Sequence, residues 1–286
     1  MPVKTVAIMS PGEMGHAVGR GLLAGGLSVI TCLEGRSDLT RNLAERAGIG
    51  DTPGLGEMLA EADLVLSIGP PAKAAEMASA VAQAMSDSGN ALPYADCNAV
   101  SPATARRIGD EIARAGADFI DGGIIGGPPG TGAQPRFYVS GERASLMSEL
   151  DGKSIRVRPI GDKIGRASGL KMCYASMTKG TLALQTAVFT VAEALGLTAE
   201  LRDELLEGRE ALYKQIESGA RRLPSVSARY IGEMEEIAAT YEAAGVTPKF
   251  HQGALDVYRL LASTPLAKET SETIDPGRTL EEAAKV

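Results

Sequence analysis

The spacing of apolar positions changes near residue 160. Before it, short apolar, β-branched runs at 3–9, 28–33, 63–68, 92–96 and 118–121 alternate with amphipathic stretches at 38–47, 55–61, 72–85 and 102–115. Short apolar runs of this kind suit strands buried on both faces, and their alternation with helices predicts a parallel sheet covered on both sides. Strands at 137–140 and 155–160, with a helix at 142–150 between them, complete this half. From 164 to 195 there is no proline, and Leu170, Tyr174, Met177, Leu182, Leu184, Val188, Val191 and Leu195 recur at helical spacing. About 30 residues of helix measure about 45 Å, long enough for a spine between two domains or two subunits. Helix continues to about 262, with breaks near Gly196, 219–224 and 245–248, and a polar tail from Ser263 is expected on the surface. The fold class is therefore α/β: a doubly wound parallel sheet over residues 1–162, joined by a long helix to an all-helical domain over 163–286.

A chain of 286 residues has room for two cores. With 4% aromatics and no tryptophan, those cores are built from Ala, Leu, Ile, Val and Met. A net charge of −7 argues against nucleic acid or an anionic membrane as partner. Cys32, Cys97 and Cys173 are odd in number and none is in a C-x-x-C pair, which predicts no disulfide framework and a reducing compartment. No charged-then-apolar leader and no apolar run approaching a membrane span is present, so the cytoplasm is the expected location. His16 and His251, the two histidines, are too far apart in sequence to suggest a metal site.

The first strand leads into Ser10-Pro11-Gly12-Glu13-Met14-Gly15, and Gly19 follows one helical turn later. Gly12 lets backbone approach a pyrophosphate, Gly15 and Gly19 let the helix press on the strand, and the helix N-terminus offers N–H groups to the anion. Ser10 stands where the G-x-G-x-x-G pattern has its first glycine. The second strand ends in Glu34-Gly35-Arg36-Ser37, where such proteins meet the adenosine ribose. Glu34 suits the ribose hydroxyls of NAD, whereas the Arg36 guanidinium and Ser37 hydroxyl suit the 2′-phosphate of NADP; NADP is the favoured cofactor. Further strand ends carry Gly69-Pro70 and Asp96-Cys97-Asn98, which predicts that Gly69, Pro70 and Asn98 wall the nucleotide site. Ser101-Pro102 reads as the N-cap and first residue of a helix.

Together these runs resemble the β-hydroxyacid dehydrogenase superfamily, which includes 3-hydroxyisobutyrate and 6-phosphogluconate dehydrogenases. Residues 10–15 are similar to its G-L-G-x-M-G turn, 96–102 to its D-x-S-T-x-x-P loop and 119–127 to its F-x-D-A-P-V-S-G-G segment. Gly165 and Lys171 fit the spacing of its catalytic helix. Leu170-Lys171-Met172-Cys173-Tyr174-Ala175 with Thr178-Lys179-Gly180 resembles a phosphogluconate dehydrogenase-like branch with its own C-terminal domain. The resemblance implies a Rossmann domain, NAD(P), a homodimer through the helical domains, and Lys171 as proton donor in reduction of a small carbonyl or oxidation of a hydroxy substrate. It also implies that Gly123, Ile125, Gly126 and Thr178 face that substrate. Ile125 replaces a serine that holds a carboxylate, Tyr174 and Ala175 replace two asparagines, and Gly232 falls where a second lysine is expected.

At roughly 100° per residue, Tyr174 and Thr178 lie about 60° and 20° from Lys171, so the three share a helix face. Burial within an apolar face disfavours the charged form of a lysine and makes it a ready proton donor. Tyr174 is either a core aromatic or a second proton-handling group. Lys179 is expected as a solvated or interface charge, His251 on a helix surface, and Glu233, Glu235 and Glu236 as a solvated face, unless an inward glutamate meets a cationic substrate. Ile125, without a donor, points to a bulkier or less acidic ketone, aldehyde or imine. The leading reading is an NAD(P)-dependent dehydrogenase or reductase. An imine reductase-like enzyme and a non-catalytic NADP-binding sensor are the alternatives.

Overall fold

In the computed structural model, which describes residues 2–270, 273–275, 277–279 and 282, the apolar runs become one sheet. Its strands are β1 (Thr5–Met9), β2 (Ser28–Cys32), β3 (Gly50–Thr52), β4 (Leu64–Ser67), β5 (Tyr94–Asp96), β6 (Phe119–Ile125), β7 (Arg136–Ser140) and β8 (Arg156–Pro159). Their order is β3-β2-β1-β4-β5-β6-β7-β8, parallel except where β7 runs antiparallel to β6. The order reverses at β1, so the carboxyl ends of β1 and β4 flank the crevice in which doubly wound sheets bind ligands.

Helices α1 (Glu13–Ala24) and α2 (Asp38–Ala47) cover one face, burying Val18, Leu22 and Ala44 against Ile8, Leu64 and Ile120. Helices α3 (Leu55–Glu61), α4 (Ala74–Ser88) and α5 (Pro102–Arg114) cover the other, burying Met58, Met77, Val81 and Ile108 against Ala7, Val65 and Tyr94. Ser101 caps α5, its side chain accepting from the Thr104 N–H, with Pro102 in the first turn.

Several boundaries differ from the sequence reading. β5 starts at Tyr94 rather than Leu92, because Pro93 has no N–H to donate to the ladder. β6 continues past Asp121 to Ile125 because β7 pairs with all of that extension, from Asp121↔Ser140 to Ile125↔Arg136. The stretch expected as helix at 142–150 is a run of 3₁₀ turns, Ala144–Leu150. β3, three residues at the sheet edge, left no apolar run to read.

Helix α6 (Arg166–Leu195) runs for 30 residues, and the chain divides within it into two compact units, Met1–Met172 and Cys173–Val286. The second unit adds α7 (Thr198–Ala220), α8 (Leu223–Ala243) and α9 (Lys249–Ala262). Phe189, Tyr213 and Ile216 form one of its cores, and Tyr230 and Tyr258 meet edge to face at 5.4 Å. Not all of the tail stays on the surface: buried Arg278 binds Glu269 through both carboxylate oxygens, and its carbonyl accepts from Arg221 Nε at 2.8 Å. Tail residues 271–272, 276, 280–281 and 283–286 lie outside the described residues. Among the described residues, no helix is long and apolar enough to cross a membrane.

Candidate functional site

At the carboxyl end of β1, Ser10 takes a left-handed conformation (φ 61°), and its carbonyl accepts from the Gly12 N–H at 2.7 Å across buried Pro11. The serine thus adopts the backbone that glycine would supply, at a cost of about 1–2 kcal/mol. Gly12 precedes α1 without any side-chain cap, and a Cβ there would meet only the Ser10 carbonyl, 4.0 Å away. The first turn of α1 therefore keeps backbone N–H groups and open space for an anion, as a dinucleotide pyrophosphate requires. Glu13 is exposed, and Met14 is half-buried against the core. A Cβ on Gly15 would come 3.0 Å from the Ser10 carbonyl, and one on Gly19 would come 2.7 Å from Ile49 Cδ1. Both glycines make the close helix–strand approach expected of them.

Beyond β2, Glu34 is exposed, Gly35 turns the chain at φ 67°, and half-buried Arg36 donates its backbone N–H to the Leu33 carbonyl at 3.1 Å. Ser37 is the N-cap of α2, accepting from the Thr40 N–H at 3.3 Å, so its oxygen already has a structural task. Arg41, which sequence reasoning passed over, reaches back to the same Leu33 carbonyl through Nη2 at 2.6 Å. The carboxyl end of β2 thus carries exposed Glu34 and half-buried Arg36, with the Arg41 guanidinium returned to the Leu33 carbonyl.

Asn98 is buried, and both ends of its amide are engaged. Its Oδ1 accepts from the Gly69 N–H at 2.5 Å, and its Nδ2 donates to Ser67 Oγ at 2.9 Å. It ties the loops after β4 and β5 together rather than presenting an unused amide. A Cβ on Gly69 would lie 2.6 Å from Met77 Cε, so a side chain there would have to displace the end of that methionine, and Pro70 is exposed.

The start of α6 is held by β6. Buried Asp121 accepts through Oδ2 from the N–H groups of Gly165 (2.8 Å), Ala167 (3.0 Å) and Ser168 (3.2 Å), and from Ser140 Oγ (2.9 Å). A carboxylate at a helix N-terminus satisfies its unpaired donors and complements its dipole. Two residues along the same strand face, a Cβ on Gly123 would lie 2.8 Å from Lys171 Cβ and 2.8 Å from the Ala167 carbonyl. Asp121 therefore grips the helix, and Gly123 lets it settle where Lys171 stands over the carboxyl half of β6. Ile125 ends that strand, buried, and Gly126 turns away at φ 125°. Along α6, half-buried Lys171 shares its face with exposed Tyr174 and Thr178, and Thr178 donates back to the Tyr174 carbonyl at 3.2 Å. Tyr174 is thus not a core aromatic.

In the second unit three expectations fail. Lys179 Nζ lies 2.7 Å from Glu233 Oε2, and both side chains are about nine-tenths buried, so neither is a solvated charge. The lysine also stands 4.7 Å from the Tyr230 ring centre. The cationic partner that an inward glutamate suggested is thus part of the chain itself. His251 is buried rather than on a surface, its ring 4.3 Å from that of Tyr241, and burial lowers its pKa. These residues fill the turns of α6 that face α8 and α9, where packing rather than local sequence decides exposure.

The sequence family described as the NAD binding domain of 6-phosphogluconate dehydrogenase matches residues 5–151, more than half of the chain. Residues 192–261 match a family described as a domain of unknown function, DUF1932. An uncharacterized 28.5 kDa protein from the 7S RNA 5′ region of Methanothermus fervidus is 29% identical over 224 residues, 78% of this chain and 82% of its own. The 3-hydroxyisobutyrate dehydrogenase of Mycobacterium tuberculosis, solved with L-serine, has a TM-score of 0.71 at 19% identity, covering 100% of this chain and 99% of that one. A reductive aminase from Aspergillus terreus, solved with NADPH and ethyl levulinate, has a TM-score of 0.57 at 18% identity, again over 100% and 99%. With the dinucleotide turn at β1 and an NAD-binding match that spans β1 to β7, the chain belongs to the β-hydroxyacid dehydrogenase superfamily.

Proposed function

We propose that the protein is an NADP-dependent oxidoreductase interconverting C=O and CH–OH on a small molecule, with Lys171 as the proton donor and acceptor. The docking of α6 on β6 carries this reading: Asp121 and Gly123 hold one lysine over the carboxyl half of a strand in a nucleotide-binding sheet. The open N-terminus of α1 fits the pyrophosphate, and Arg36, with Arg41 beside it, fits a 2′-phosphate. When bound, the nicotinamide supplies or accepts the hydride. Lys171 Nζ then delivers a proton to the developing alkoxide in reduction and takes it back in oxidation. Residues 1–162 bind the nucleotide, and 163–286 supply the substrate side and the subunit contacts. The dimer reading rests on α6, whose exposed Tyr174, Met177, Leu184, Val188, Val191 and Leu195 fall on two adjacent seven-residue repeats suited to a helix of a second copy. The cytoplasmic reading is supported by the odd number of cysteines, none of them in a C-x-x-C pair.

The test is a panel of ketones, aldehydes, hydroxy acids and preformed imines with NADPH and NADP⁺. Lys171→Met should lower kcat by about 10²–10⁴-fold while nucleotide affinity stays within about twofold. Turnover within about threefold of the parent would falsify the assignment. Exposed Tyr174 on the Lys171 face, beside the fold likeness to an aminase, supports imine reduction as the second reading. Activity confined to imines and lost in Tyr174→Phe would select it, and nucleotide binding without turnover on any compound would select a sensor.

A further inference from the structure

Ile125 has no donor for an anionic substrate, and the amide of Asn98 is already engaged. Its strand partner supplies what both lack. In the antiparallel register of β6 and β7, Ile125 stands opposite Arg136, Gly123 opposite Tyr138 and Asp121 opposite Ser140. Directly opposed residues share a sheet face, with Cβ atoms about 4.5–5.5 Å apart. The 2.9 Å bond from Ser140 to Asp121 confirms that face for this ladder. Arg136 is also the diagonal neighbour of Gly123, about 7–8 Å away and within reach of long side chains. Over Gly123 stands Lys171. The guanidinium of Arg136 and the amine of Lys171 are therefore rooted on one face at the carboxyl edge of the sheet.

The row continues into β8, where Arg136 pairs with Arg156 and Tyr138 with Arg158. Arg158 donates to the Tyr138 hydroxyl at 3.3 Å, and Arg156 Nε to Gln134 Oε1 at 3.3 Å. Among the described residues, Arg136, Arg156 and Arg158 have no carboxylate partner, and the guanidinium of half-buried Arg136 has no hydrogen-bond partner. Like charges on neighbouring strands, about 4.8 Å apart, repel unless an anion lies between them. A planar guanidinium binds carboxylate or phosphate through paired N–H donors.

We propose that Arg136, supported by Arg156, is the oxyanion anchor of the substrate site, so that the preferred substrate carries a carboxylate or phosphate beyond its reacting carbonyl. The inference rests on the redox reading of Lys171 and reverses the less acidic substrate that Ile125 alone suggests.

Two measurements test it. With the protein saturated in NADP⁺, so that the 2′-phosphate site is filled, oxalate and inorganic phosphate are titrated by calorimetry into the parent, Arg136→Ala and Arg136→Lys. At least one anion should bind the parent competitively with substrate, at least tenfold more weakly in Arg136→Ala, with Arg136→Lys between. Which anion binds distinguishes carboxylate from phosphate recognition. In steady state, the ratio of kcat/KM for oxo acids or phosphorylated ketones to that for neutral carbonyls should fall at least 30-fold in Arg136→Ala. No anion binding, equal binding in both variants, or binding that does not compete with substrate overturns the proposal; the last outcome would assign the arginines to another partner. Lys171→Met separates the two readings. Retained turnover in that variant defeats the redox assignment, whereas lost turnover with no Arg136-dependent anion binding defeats the anchor alone.

Discussion

A few side chains here settle questions that their residue types leave open. Ser10 takes the left-handed turn position without being glycine, so the nucleotide turn is present although its pattern is imperfect. In the proposed function, cofactor choice rests on Arg36 and Glu34; the fold leaves Glu34 exposed and returns Arg41 to the same strand end. Charge-assisted hydrogen bonds are each worth about 1.5–3 kcal/mol, so Arg36→Ala should weaken NADPH about 10- to 100-fold and NADH by less than about threefold. Fluorescence titration with both nucleotides checks this. Equal losses would dismiss the 2′-phosphate contact, and tighter NADH than NADPH binding in the parent would give the ribose to Glu34. At this scale the close approach at Gly15 and Gly19 was legible from sequence. The engagement of Asn98 and Ser37 was not, because which partner a polar side chain satisfies depends on strands remote in sequence.

Among elements, the docking of α6 onto β6 matters most for chemistry. Asp121 fixes the helix end and Gly123 removes the side chain that would hold it off, so a methyl at 123 has no harmless place to go. Gly123→Ala should cost about 1–3 kcal/mol of stability by overpacking and lower kcat at least tenfold, with nucleotide affinity within about twofold. Urea denaturation and steady-state kinetics on the best substrate would read both. An unchanged kcat in a folded variant would remove Gly123 from the positioning of Lys171. The pair Lys179–Glu233 is an element-scale feature of the other kind. It is buried because α8 and α9 close over that face of α6, and it needs both partners, since one charge left alone there would be strongly destabilising. Helix periodicity placed Lys179 correctly on α6 but carried no information about which face is covered.

At the scale of the whole molecule, α6 leaves Met177, Leu184, Val188, Val191 and Leu195 exposed, the face that the proposed dimer would cover. Leu184→Glu would place a charge within that face, and light scattering at micromolar concentration should show a dimeric parent becoming monomeric. A monomeric parent would dismiss the dimer, and a variant that stays dimeric would move the interface elsewhere. The sequence by itself determined the alternation that makes a parallel sheet, the switch to helical spacing near residue 160, the long helix and the nucleotide turn. All of these are written in local periodicity and in glycines whose task is set within a few residues. Only the tertiary structure decided that β6 extends to Ile125, that Asp121 caps a helix 44 residues away, that Glu233 and His251 are buried, and that Arg136 stands beside Ile125. Each of these depends on strand register or on helix faces meeting. Register and packing are set by the summed burial of many residues, and no single stretch of chain contains them.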